Sequence, residues 1–115
     1  MRYKMDIEEI AESHKELFPN ATPESQFWKL EEEIAEFENS QNEQQAIKEL
    51  ADIIIVCGGL YRWFPKTARA VASNYVYDMG VFPEKEVNRK WNVNLKRKWV
   101  WNGKTYKHEG TDGNE

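Results

Sequence analysis

The sequence predicts an all-α protein, an antiparallel helical bundle of about five helices with a short C-terminal β-hairpin. Three observations favour this class: apolar residues recur every three or four positions, Pro and Gly residues separate these stretches, and an Asn-Gly pair lies between aromatic and β-branched residues near the end. A chain of 115 residues fits one domain. We assign that domain to residues 1–108 and expect the Gly-containing tail, residues 109–115, to be disordered.

The first helix is predicted from about Asp6 to Leu17, before Pro19. Thr22 followed by Pro23 is typical of an N-cap residue and a first helical position, so a second helix begins there. Its expected buried stripe consists of Phe27, Leu30, Ile34 and Phe37. Trp28 projects away from this stripe and is interpreted either as a subunit contact or as a stacking platform for a flat ligand.

Four acidic residues occupy matched positions on the second and third helices. Glu33 and Glu36 are three apart on the second, and Glu49 and Asp52 are three apart on the strongly apolar third. A short polar connection makes these helices antiparallel neighbours, so the two acidic pairs should meet. Four grouped carboxylates suit Mg²⁺, with Mn²⁺ as a substitute. For Glu33 and Glu36 alone, an acidic solvated face is the competing interpretation, because further Glu residues surround them.

The third helix should weaken at Gly58-Gly59, and a fourth is predicted from Lys66 to about Met79, closing at Gly80. Pro83 opens a fifth helix with two faces. The expected apolar face consists of Val87, Trp91 and Leu95, and the polar face of Lys90, Asn94 and Arg97. That polar face is either a basic solvated surface or a clamp for a polyphosphate.

The chain is expected to finish as a hairpin around Asn102-Gly103. An isolated two-stranded hairpin is marginal, so its aromatic residues should pack on the helices. These residues, among them Trp99, Trp101 and Tyr106, either complete the core or border a pocket for a base.

Charge and cysteine content limit the function classes. The net charge is -4, yet residues 84–107 carry eight basic and two acidic side chains, which suits a site for a metal and a polyanion. Cys57 lies in the most apolar run, where a buried inert thiol in a reducing cytoplasm is expected. Neither a signal peptide nor a membrane-spanning run is visible, so we predict a cytoplasmic protein.

Two groups of residues resemble a known family. Glu33-x-x-Glu36, twelve intervening residues and Glu49-x-x-Asp52, with Glu32 at their start, resemble the signature of the MazG-like all-α nucleoside triphosphate pyrophosphohydrolases. A second group resembles the Lys, Asn, Arg, Trp signature of that family's later helix; it consists of Lys90, Asn94, Arg97 and Trp99. The resemblance covers about residues 22–107.

This resemblance implies a dimer or tetramer with active sites at subunit contacts. It also implies Mg²⁺-dependent cleavage of a (deoxy)nucleoside triphosphate between its α and β phosphates, for housecleaning or control of the nucleotide pool. The implied metal ligands are Glu33, Glu36, Glu49 and Asp52, and the candidate catalytic bases are Glu32 and Glu33. Lys90, Asn94 and Arg97 would bind the phosphates, and Trp28 and Trp99 are candidates to contact the base.

Three other functions stay open at this point. A phosphoribosyl-ATP pyrophosphatase has similar helices and acids. A non-catalytic helical module would bind a nucleotide or a partner helix and use its acids for assembly. A nucleic-acid surface at residues 85–107 would use the interleaved Lys, Arg and Trp residues, although the acidic remainder of the chain argues against it.

Overall fold

The computed structural model describes residues 7–108 and contains five α-helices and one β-hairpin in that range. The elements are α1 (Ile7–Leu17), α2 (Pro23–Glu38), α3 (Glu43–Leu60), α4 (Pro65–Met79), α5 (Glu84–Lys96), β1 (Trp99–Trp101) and β2 (Tyr106–His108). The predicted all-α class and the C-terminal hairpin are therefore confirmed. Asp6 and the tail at residues 109–115 lie outside the described residues.

Helix α3 lies at the centre of the molecule, and α1, α2, α4 and α5 all pack on it. From Leu50 to Leu60 every residue except Asp52 is buried. A helix that is apolar on nearly all sides is stable only when its neighbours cover it. Asp52 is consequently the one polar position in the core-forming half of α3, and its surroundings define where a site can lie.

Gly58 and Gly59 do not weaken α3 as predicted, since the helix continues through both to Leu60. Instead they allow close packing. A Cβ atom on Gly58 would clash with the side chain of Ile10, and one on Gly59 would clash with Gln26 and His14. The two glycines therefore let α1 and α2 approach the α3 backbone directly.

Local chemistry fixes the helix ends, as predicted for Thr22 and Gly80, and Asn42 adds a cap that was not predicted. Thr22 and Ser25 form a reciprocal capping box at the start of α2, and Asn42 caps α3 by accepting a hydrogen bond from the Gln45 backbone N–H at 2.8 Å. Gly80 ends α4 in the left-handed conformation, with φ of 74°. These caps fix where α2, α3 and α4 begin or end, and with them the register of α2 against α3.

Two residues that were predicted to lie on buried apolar faces are exposed. Phe27 is 40% exposed, and its ring lies 5.9 Å from that of Phe64; the buried face of α2 is rotated to include Gln26 and Leu30. Leu95 is 44% exposed, because the chain leaves α5 two residues later and turns into the hairpin.

The hairpin pairs Trp101 with Tyr106, so its connection is four residues long, with Gly103 at φ of 94°. Cys57 is buried as expected, and burial raises the pKa of its thiol to about 12. Within residues 7–108, none of the helices combines the length and the apolar character that crossing a membrane requires.

Candidate functional site

The four predicted acids meet between α2 and α3. One carboxylate oxygen from each of Glu33, Glu36 and Glu49 lies within 4.8 Å of the others. Glu36 hydrogen-bonds to Glu49, and the charge of Asp52 acts on Glu33, as expected for antiparallel helices with three-residue acid spacings. We call these four residues the carboxylate cluster.

The carboxylate cluster is electrostatically unfavourable without a cation. Burial, together with the charges of Asp52 and Glu36, raises the pKa of Glu33 to about 8. The same three causes raise the pKa of Glu49 to about 7. Among residues 7–108, the buried Oε1 atoms of Glu33 and Glu49 have no hydrogen-bond partner. Clustered oxygen donors with unsatisfied lone pairs are of the chemical type that hard divalent cations prefer.

The polar residues of α5 face the same cavity, whose volume is about 440 Å³. Lys90, Asn94 and Arg97 line it together with Glu33, Glu36 and Asp52. The Lys90 Nζ atom donates to Asp52 Oδ2 at 3.0 Å, and the Lys90 side chain is only 11% exposed. Arg97 follows the last residue of α5 but still reaches the cavity. The structure thus brings the predicted acids and the predicted phosphate-binding residues to one place.

Two predicted site residues lie elsewhere. Glu32 is on the exposed side of α2, where its Oε1 atom is 3.4 Å from Lys29 Nζ. Trp28 is half-buried beneath Lys104, whose Nζ atom is 4.1 Å from the ring centroid. Neither Glu32 nor Trp28 is among the residues that line the cavity, whereas Trp99 is.

The hairpin supplies one wall of the cavity. Trp99 Nε1 donates to the Asn94 carbonyl at 2.9 Å, and the Tyr106 hydroxyl accepts from the Asn20 backbone N–H at 2.9 Å. The rings of Trp99 and Tyr106 lie 5.0 and 4.9 Å from that of Phe18. These contacts hold the hairpin on α5 and on the segment after α1. A two-stranded hairpin is only marginally stable in isolation, so it needs such contacts.

Sequence reasoning missed a second polar group in the cavity, formed by His14 and Gln26 with Arg62 behind them. His14 is 4% exposed, and its Nδ1 atom lies 3.0 Å from Arg62 Nη1. Burial, with the charge of Arg62, lowers the pKa of His14 to about 3, so the ring is neutral. A hydrogen bond joins His14 to the Gln26 side chain. We call His14, Gln26 and the neighbouring Phe18, Trp99 and Tyr106 rings the amide end of the cavity.

One signal for Gln26 was present in the sequence. It lies four residues before Leu30 and seven before Glu33, so all three share a helix face. The spacing also gives the separation of Gln26 and Glu33 along the helix axis, because seven helical residues rise about 10 Å. No sequence signal pointed to Arg62, which meets His14 across 48 positions of the chain.

The cavity therefore offers cation ligands and basic side chains at one end, and rings with an amide at the other. Comparisons with protein-family models, with curated proteins and with solved structures gave no match to this chain.

Proposed function

We propose that this protein hydrolyses (deoxy)nucleoside triphosphates between the α and β phosphates, with Mg²⁺, and releases the nucleoside monophosphate and pyrophosphate. One observation carries the proposal: three acids of the carboxylate cluster line the same cavity as three polar residues at the C-terminal end of α5, and the fourth acid, Glu49, lies against two of them. The lining acids are Glu33, Glu36 and Asp52, and the polar residues are Lys90, Asn94 and Arg97. A polyphosphate bound to a divalent cation needs ligands of both kinds side by side. A solvated acidic face or a solvated basic face would require neither the cavity nor the burial of Lys90.

The carboxylate oxygens of Glu33, Glu36, Glu49 and Asp52 would hold the cation, and Mn²⁺ would substitute for Mg²⁺. When bound, the cation would neutralise phosphate charge and polarise the phosphorus that is attacked. Lys90 and Arg97 would bind the phosphates and stabilise the charge on the departing pyrophosphate. The amide of Asn94 would orient them.

The proton of the attacking water needs an acceptor within hydrogen-bond distance. Glu33 is our candidate base, because it lies on the cavity wall and has a raised pKa. Glu32 is the weaker candidate, since its side chain is 57% exposed and near Lys29. The bond that breaks joins the α phosphorus to the oxygen bridging it to the β phosphorus, and that oxygen leaves with the pyrophosphate.

We also propose that the chain assembles as a dimer or tetramer. Phe27 on α2 and Phe64 before α4 are both more than one third exposed, and their rings are in contact. A second copy would cover these adjacent rings. Light scattering or analytical ultracentrifugation of the wild type and of Phe27→Ser would test this assembly.

The test of the activity is pyrophosphate release from the eight common NTPs and dNTPs with Mg²⁺, comparing wild type with Glu49→Ala. We expect release by the wild type and its loss in the variant. The matched control is Glu43→Ala, which removes an exposed acid from the first turn of the same helix. Helical circular dichroism of both variants shows whether the fold persists.

Each alternative predicts a different result. Release only from phosphoribosyl-ATP would identify the pyrophosphatase of that substrate and contradict our choice. Absence of turnover with every nucleotide, Mg²⁺ and Mn²⁺, in a folded protein, would favour the non-catalytic module. Salt-dependent binding of DNA or RNA without turnover would favour the nucleic-acid surface.

A further inference from the structure

The amide end of the cavity contains a chain of hydrogen bonds whose direction is fixed. Arg62 has only donor groups, so the His14 Nδ1 atom at 3.0 Å must accept. Arg62 is itself held, because it also donates to the Phe18 carbonyl at 3.3 Å and its guanidinium lies 4.4 Å from the Trp63 ring centroid. The neutral His14 ring therefore carries its hydrogen on Nε2.

That hydrogen determines the orientation of the Gln26 amide. The Nε2 atom of His14 and the Oε1 atom of Gln26 both lie beside Gly59, and the two side chains are hydrogen-bonded. The Oε1 atom is therefore the acceptor for His14, and the amide cannot flip without placing two donors against each other. What Gln26 has left for a ligand is its NH₂ group.

Within residues 7–108, the NH₂ group of Gln26 has one long hydrogen-bond contact, at 3.5 Å, with the Ser25 hydroxyl. That hydroxyl already donates to the Thr22 carbonyl and accepts from the Thr22 backbone N–H. An amide NH₂ has two hydrogens, so Gln26, which is 7% exposed and lines the cavity, can donate one to a bound molecule.

The aromatic rings beside Gln26 suit a flat ligand. Phe18 contacts the His14, Trp99 and Tyr106 rings at centroid distances between 4.7 and 5.0 Å, and all four side chains line the cavity. The distance of about 10 Å along α2 from Gln26 to Glu33 leaves room for a sugar between a base and its phosphates.

We infer that Gln26, oriented by His14 and Arg62, makes the site select nucleotides whose base carries a ring carbonyl over those with an amino group at the same position. Uracil, thymine, guanine and hypoxanthine present the carbonyl; cytosine and adenine present the amino group. A fixed donor pairs with the carbonyl but leaves an amino group opposite another donor. This inference rests on the proposed function, because it assumes that the phosphates lie at the carboxylate cluster.

Two nucleotide pairs exchange the carbonyl for the amino group, together with the hydrogen on the adjacent ring nitrogen: dUTP against dCTP, and ITP against ATP. We expect the wild type to favour dUTP and ITP by about tenfold or more in kcat/KM, the value of one well-made hydrogen bond. Because each preference is a ratio measured on one preparation, the fraction of folded protein cancels. Equal kcat/KM values within both pairs would overturn the inference while leaving the proposed function intact.

Two variants test the positioning role. His14→Phe keeps a ring beside Phe18 but removes the hydrogen-bond donor to Gln26, so the Gln26 amide can turn. The ratio of kcat/KM values within each nucleotide pair should then fall towards one. Gln26→Glu keeps an acceptor for His14 and adds a second one, so the preference should move towards dCTP and ATP. Gln44→Glu makes the same chemical change at an exposed position and should leave the ratios as in the wild type.

Failure of the proposed function gives a separate result. If none of the four nucleotides is hydrolysed, calorimetric titration with dUMP and dCMP without metal decides. Tighter binding of dUMP, lost in His14→Phe, would support the inference and reject the hydrolase. Equal binding of the two monophosphates, or none, would overturn the inference as well.

Discussion

The carboxylate cluster and the amide end lie about two helical turns apart in one cavity, and they hold their polar groups in opposite ways. At the amide end, Arg62, His14 and Gln26 satisfy one another in a single direction. At the carboxylate cluster, Glu33 and Glu49 each bury an oxygen without a hydrogen-bond partner in residues 7–108, beside like charges. The polar groups of the amide end are satisfied by one another, whereas those of the carboxylate cluster are not, which is the arrangement that our proposed cation would complete.

The two ends of the cavity show two ways in which a polar group can be buried, with and without a hydrogen-bond partner. A polar group that folding satisfies adds to specificity without lowering stability, whereas carboxylates forced together lower the stability of the apo protein. Sites that bind ligands commonly store such unfavourable charge, because the ligand then relieves it. The contrast predicts opposite responses of the two ends to mutation, pH and Mg²⁺.

The largest expected effect comes from Glu33→Gln. Loss of a cation ligand and candidate base should lower pyrophosphate release about 10³-fold, equivalent to about 4 kcal/mol. The same change should raise stability in alkaline solution. Since the pKa of Glu33 is raised from 4.5 to about 8, its contribution to stability is present below pH 4.5 and lost as the pH rises through 8.

Urea unfolding at pH 9 without metal measures the second effect, for which we expect a gain in the free energy of unfolding of up to about 5 kcal/mol, the value of the full pKa shift. Glu31→Gln, on the exposed side of α2, is the matched control and should change neither quantity. A variant that lost activity and stability together would contradict the stored-charge interpretation.

The contribution of the amide end to the stability of the folded protein should decrease in acid. Burial and Arg62 lower the pKa of His14 from 6.5 to about 3, so the unfolded chain binds a proton that the folded protein resists. The contribution of His14 is therefore present above pH 6.5 and lost as the pH falls towards 3, with about 3 kcal/mol of it lost by pH 4. Denaturant unfolding at steps from pH 7 to pH 4 measures this slope, and His14→Phe should flatten it.

The slope, rather than the absolute stability, is the diagnostic, because the substitution also changes packing against Phe18. The Glu33→Gln variant should lose stability more steeply than the wild type between pH 7 and pH 4.5, because the raised pKa of Glu33 stabilises the folded wild type as the pH falls through that range. If the pH dependence of stability between pH 7 and pH 4 is the same in His14→Phe as in the wild type, groups other than His14 cause the loss of stability in acid.

Mg²⁺ should act on the carboxylate cluster alone. A ligand at 100 times its Kd stabilises a folded protein by about 2.7 kcal/mol, so the thermal midpoint should rise with added Mg²⁺. Glu33→Gln should weaken this rise, and His14→Phe should retain it. NaCl at matched ionic strength controls for screening, and an equal rise in NaCl would exclude a specific cation site.

Local chemistry determined which parts of this molecule could be predicted. Capping residues, the helical spacing of the acids and the Asn-Gly pair are all read within a few positions, and they gave the helices, the hairpin and the acidic pairs. The rotation of α2 was not predicted, because Phe27 and Gln26 are neighbours and hydrophobicity alone favours Phe27.

Long-range pairs were beyond a local pattern. Lys90 meets Asp52 across 38 positions, and Arg62 meets His14 across 48. Only the packing of α1 and α5 on α3 decides which polar residues meet in this way. The carboxylate cluster could be predicted from the sequence because its two halves lie on consecutive helices. The residues of the amide end come from α1, α2, the segment after α3 and the hairpin, so no local pattern predicts that they meet.

The smallest expected effect concerns Lys104, which attaches the hairpin connection to α2 through the Trp28 ring at 4.1 Å. Lys104→Ala should lower the free energy of unfolding by about 0.5 to 1 kcal/mol, the value of an exposed cation–π contact. Lys104→Arg keeps a cation over the ring and should retain the stability. The hairpin wall itself rests on Trp99 and Tyr106, so the nucleotide preference should be the same in both variants. A changed preference in Lys104→Ala alone would mean that Trp28 and the hairpin connection shape the amide end, which would move Trp28 back among the residues that contact the base.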